Sequence, residues 1–130
     1  MKTVLTVALV LFAGPSLAQD TSPAQLVAKY AAEAGITPSA ETGKAMFMAS
    51  HSGGKPDTPS CTTCHTDNPR VMGMARTGKP IEPMASSANP ARFTDTAFVE
   101  KWFGRNCDSV LGRACTAAEK AHAIAWLSSI

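Results

Sequence analysis

Five consecutive residues, Cys61-Thr62-Thr63-Cys64-His65, have the types and spacing of a covalent haem attachment site. On a helical turn, residues three apart share one side, so both thiols can meet the two vinyl groups of a single porphyrin. His65 follows at once and is expected to offer its imidazole to the iron as the proximal ligand. The cofactor implied is one covalently bound haem c. Two further cysteines, Cys107 and Cys115, stand apart from the motif. In an oxidising compartment they are expected to form a disulfide. A zinc site built from all four thiols is the competing arrangement, and the histidine directly after Cys64 counts against it.

What occupies the other face of the iron decides between relaying electrons and binding small molecules. Donors available beyond the leader are Met46, Met48, Met72, Met74 and Met84, the histidines His51 and His122, or a weaker donor such as an asparagine. His51 reads most simply as a loop residue and His122 as a polar position on the last helix. Met84 follows Pro83 in a loop able to reach a haem. The plain role for Asn106 is a helix C-cap, because asparagine tolerates the left-handed conformation.

These groups need a scaffold. Residues 1–18 read as a secretory signal peptide, with Lys2, an apolar run from Val4 to Ala13, and small residues Ser16 and Ala18 ahead of the cleavage point. The apolar run is short for a bilayer span, which needs about 20 residues. An exported protein in the periplasm, without membrane insertion, is the expectation. Taking 18 residues from 130 leaves 112, one small domain over 19–130 whose core a buried haem would complete. Loss of Lys2 lowers the formal charge from +2 to +1, a balance that calls for no nucleic acid.

Ser22-Pro23-Ala24-Gln25 opens a first helix expected to stop at Gly35. A second is expected from about Ala40 to Ala49, behind Ser39. From Asn68 to Pro90, four prolines and two glycines predict a long loop. Thr94-Asp95 caps a third helix through about Arg105, with Phe98, Trp102 and Arg105 along one side. Thr116-x-x-Glu119 is a capping box for a last helix running nearly to Ile130. No segment alternates as a half-buried strand does, so the fold class is all-α. Gly43 either admits a close approach of the small-residue stripe Ala118, Ala121 and Ala125, or merely weakens its helix by about 1 kcal/mol.

A haem motif, a short exported chain and this helix order resemble the class I c-type cytochromes, which implies four to five short helices around one covalent haem. In that class the distal methionine lies just before the C-terminal helix. Here no methionine follows Met84. The run Trp102-Phe103-Gly104-Arg105-Asn106-Cys107, then Cys115 and the capped helix ending in Trp126-Leu127, is similar to the sphaeroides haem protein family of oxygen-binding cytochromes c. That resemblance implies Asn106 as a labile distal iron ligand and a Cys107–Cys115 disulfide beside it. It also implies release of Asn106 on reduction, binding of O2, NO or CO, and a di-haem cytochrome c as redox partner.

Two other classes stand beside this reading. One is a conventional electron carrier with Met84 as sixth ligand. The other is a small haem enzyme that reduces O2 or peroxide or oxidises NO. Lys55, Arg70, Arg76 and Lys79 flank the haem segment and either form a docking patch for an acidic partner or are ordinary solvated charges.

Overall fold

The computed structural model describes residues 19–130, so the expected leader lies outside the described residues. Helix α1 spans Pro23–Ala34, with Ser22 accepting the Gln25 N–H and Gly35 closing the end at φ 65°. Helix α2 spans Ala40–Met48 behind the Ser39 cap. The haem motif forms a single turn, α3, Thr62–His65. Helix α4 spans Thr96–Leu111 and α5 spans Ala117–Leu127. The expected starts follow from side chains that satisfy the first free backbone N–H groups.

Two departures are instructive. The proline-rich segment contains a small antiparallel pair, β1 (Gly73–Met74) and β2 (Pro80–Ile81), with Gly73 opposite Ile81. Two residues per strand are too few to show an alternating pattern. More consequential, α4 does not stop near Arg105. It continues to Leu111, and Gly112 (φ 69°) is its left-handed cap. The stretch expected to be a distal loop is therefore mostly helix, and Asn106 is not a C-cap. The helix survives the exposed Gly104 and the turn-favouring run Asn106 to Ser109 because Val99, Cys107 and Val110 are all buried on one side.

Helix α5 is the hub. Its residues Ala121, Ile124, Trp126 and Leu127 join Leu26, Tyr30 and Ala31 of α1 and Phe47 of α2 in one apolar core. A Cβ on Gly43 would sit 1.9 Å from the His122 carbonyl oxygen, so only glycine lets α2 cross α5 at this distance. That decides between the two readings of Gly43. Tyr30 donates to Glu100 at 2.5 Å, and Lys120 donates to the same carboxylate at 2.6 Å, linking α1, α4 and α5. Burial, followed by that hydrogen bond, raises the Tyr30 pKa. Among the described residues no helix is long and apolar enough to cross a membrane.

Candidate haem site

One cavity, about 740 Å³ including its mouth, collects the residues that the sequence points to. Cys61, Cys64 and His65 line it from α3, and Asn106 and Cys107 line it from α4 together with Cys115. Phe47, Phe103, Val110, Ala123 and Leu127 supply an apolar wall. This is the lining a large flat hydrophobic cofactor requires.

The proximal turn is held from two directions. Thr66 ends it at φ 61° and ψ 171°, a positive-φ conformation uncommon for a non-glycine residue. Gly73 of β1 lies so close that a Cβ there would come within 2.2 Å of the Cys64 carbonyl oxygen, which presses the small sheet onto the turn. Ser60 extends the support, donating to the Phe47 carbonyl at 3.2 Å. Phe47 in turn stands with its ring centroid 6.1 Å from His65 and 5.1 Å from Trp126.

The electrostatics suit iron ligation. Burial, and then the charge of Arg92, push the His65 pKa down to about 4, so the imidazole is neutral and keeps a lone pair. Its Nδ1 is buried without a hydrogen-bond partner. Burial pushes the Cys61 thiol up to about 11. Exchange-active Cys-x-x-Cys pairs have the opposite shift, so the motif is not built for dithiol redox chemistry. Cys107 and Cys115 are joined as a disulfide with Cα atoms 5.5 Å apart, which removes two thiols from the four-cysteine zinc arrangement.

The distal side is braced as well. The loop at 53–58 clasps the last turn of α4: the Ser109 carbonyl accepts from the Lys55 N–H at 2.7 Å and from the Thr58 hydroxyl at 3.0 Å. A Cβ on Gly53 or Gly54 would collide with Leu111 or Ser109 backbone, at 2.4 and 2.2 Å. The disulfide then ties the same turn to the start of α5, where Arg113 and Thr116 both bond Glu119. Asn106 thus projects from a helix fixed just beyond it.

Other candidates are placed differently. Met84 packs against the apolar core and is not among the residues that line the cavity. Met46 and His51 do line it, and His51 Nε2 donates to the Met46 carbonyl at 3.0 Å. His122 accepts the Ser39 N–H through Nδ1 at 2.9 Å, a link between α5 and the start of α2. Arg76 is paired with Asp57 at 2.6 Å, which neutralises one of the four loop cations. Arg92 carries no motif of its own and is not evident as a site residue in the sequence. Phe103, Asn106, Cys107 and Val110 fall at i, i+3, i+4 and i+7, the helical stripe that identifies them.

A family model described as a domain of unknown function (DUF1924) matches residues 33–127. The chain is 60% identical over 119 residues to the cytochrome c-type protein SHP of Cereibacter sphaeroides, covering 92% of each chain. The structure of oxidized SHP, an oxygen-binding cytochrome c, superposes with a TM-score of 0.83 at 59% identity, over 85% of this chain and 99% of that one. Cytochrome c'' of Methylophilus methylotrophus is 37% identical over 134 residues, covering 98% of this chain and 93% of its own. Its solution structure, described as an insight into haem-ligand detachment, gives a TM-score of 0.68 at 37% identity, over 81% and 90% of the two chains.

Proposed function

The chain belongs to the family of the cytochrome c-type protein SHP, and from that premise we propose that it is a periplasmic mono-haem cytochrome c with a ligand switch. His65 holds the iron in both oxidation states, whereas Asn106 holds it only in the ferric state and lets go on reduction. One observation carries this reading: Asn106 projects from α4 into the cavity that also receives Cys61, Cys64 and His65, while Met84 packs against the core and does not line that cavity. When bound, haem supplies a redox-active iron whose sixth position can exchange. The rest is the work of this chain's own side chains.

A methionine sulfur is a soft donor that favours ferrous iron and keeps a site closed through a redox cycle. The amide of Asn106 is harder and weaker, so added electron density loosens it. A haem held here would offer an exchangeable position to O2, NO or CO when Asn106 is free, and the Asn106 amide has both donors and an acceptor with which to bond a diatomic. The oxygen-binding relative and the detachment described for cytochrome c'' support this reading. Export behind residues 1–18 delivers domain 19–130 to the periplasm. The donor is a di-haem cytochrome c whose acidic surface meets Arg70 and Lys79, which flank the exposed Val71, Met72 and Met74 beside the haem turn.

Spectra of both oxidation states test the switch. In the wild type, the ferric form is six-coordinate low-spin, and the ferrous form is five-coordinate high-spin and takes up CO. Asn106→Ala changes the ferric spectrum, whereas Met84→Leu, Met46→Leu and His51→Gln leave it alone. A ferrous protein that stays low-spin and ignores CO would overturn the proposal.

A further inference from the structure

We propose that Arg92 is the cation that pairs with a carboxylate of the haem and thereby sets its reduction potential. The inference rests on the chain holding a haem and is independent of whether Asn106 is released. Arg92 lines a shallow, open hollow that adjoins the main cavity, since Phe103 and Asn106 line both. Phe93, Val99 and Trp102 form much of its remaining wall, and no acidic residue lines it.

The guanidinium is already fastened on one side. Nε donates to the Pro83 carbonyl at 3.0 Å and Nη2 to the Glu82 carbonyl at 2.6 Å. Both partners are neutral peptide oxygens. Among the described residues no carboxylate forms an ion pair with Arg92. The Glu82 carboxylate attracts the guanidinium but does not reach ion-pair distance, so this half-buried cation has room for an anion at close range, which repays the water it has lost. Nη1 forms no hydrogen bond to the protein among the described residues.

The backbone beside it is held in an unusual conformation. Phe93 has φ 65°, a region that bulky residues rarely enter, and its ring is buried in the core at 5% exposure. Such strain persists where the surroundings over-determine it, and it clusters at ligand sites. The cofactor itself would bring that anion, since a haem held by Cys61, Cys64 and His65 carries two carboxylates on its edge. A guanidinium meets a carboxylate with two parallel N–H donors, a geometry lysine does not reproduce.

The sign of the effect follows. A cation near the iron disfavours the more positive ferric state, so its removal lowers the potential, and an uncompensated carboxylate acts in the same direction. Arg92→Gln is expected to lower the ferrous-to-ferric ratio about tenfold at a fixed ambient potential, a shift of ~59 mV for one electron. Arg92→Lys is expected to keep most of the wild-type potential. If Arg92 only fastened the 82–83 loop, Arg92→Gln would lower the melting temperature and leave the potential where it was, and that result overturns the proposal. Should Arg92→Gln fail to retain haem, a crystal structure of the wild-type holoprotein decides instead. Nη1 within hydrogen-bond distance of a haem carboxylate supports the assignment, and a guanidinium turned away, or bound to a solvent anion, refutes it.

Discussion

The proximal and distal sides of the cavity are built in opposite ways. On the proximal side, the two thiols and the imidazole come from five adjacent residues, and one helical turn arranges them. On the distal side, Asn106 reaches the cavity only because a 16-residue helix is carried past it and pinned at its end by residues about fifty positions upstream. The half of the site that holds Cys61, Cys64 and His65 is thus local in sequence, and the half that holds Asn106 depends on tertiary contacts. Under the proposed switch, the 53–58 clasp and the disulfide hold the end of the helix that carries Asn106, so release would need only the side chain to move.

Removing a thiol gives the largest expected effect. Cys61→Ser with Cys64→Ser abolishes covalent attachment, read as loss of haem staining on a denaturing gel, yet leaves the distal helix in place by circular dichroism. Loss of α4 in that variant would break the claimed independence of the two sides.

Opening the disulfide acts on the distal side alone. The chain-entropy account gives a loss of about 2.5 kcal/mol for so short a loop, measurable as a lower denaturant midpoint of Cys107→Ala with Cys115→Ala. If the brace positions Asn106, the ferric spectrum of this variant becomes a mixture of coordination states. An unchanged spectrum would assign the positioning to the 53–58 clasp instead.

The smallest effect is at the corner between α4 and α5. The hydrogen bond from Arg113 is the first cause that holds the Glu119 pKa down, to about 2. Because the folded value lies below the ordinary 4.5, the stabilisation is complete above that pH and fades as pH falls toward 2. Glu119→Gln is expected to flatten the acid side of the melting-temperature profile, and thermal scans between these pH values check it.

Helix starts are legible in the sequence, and one helix end is not. Ser22, Ser39, Asp95 and Thr116 each open the expected helix, because capping is a contact within four residues. The end of α4 departs from expectation for a related reason. Gly104 and the run from Asn106 to Ser109 disfavour helix locally, and the burial that overrides them comes from elsewhere in the chain. The apolar stripe Phe103, Cys107 and Val110 is the signal that marks the continuation, and Asn106 lies within it.

What the sequence determined by itself is the cofactor and its tether: Cys61, Cys64 and His65 need only the geometry of one turn to act together. Tertiary structure alone decided that Asn106, not Met84, faces the same cavity, and that Arg92 stands beside it. The close crossing at Gly43 and the clasp on Ser109 join residues far apart in the chain, and no local spacing encodes them.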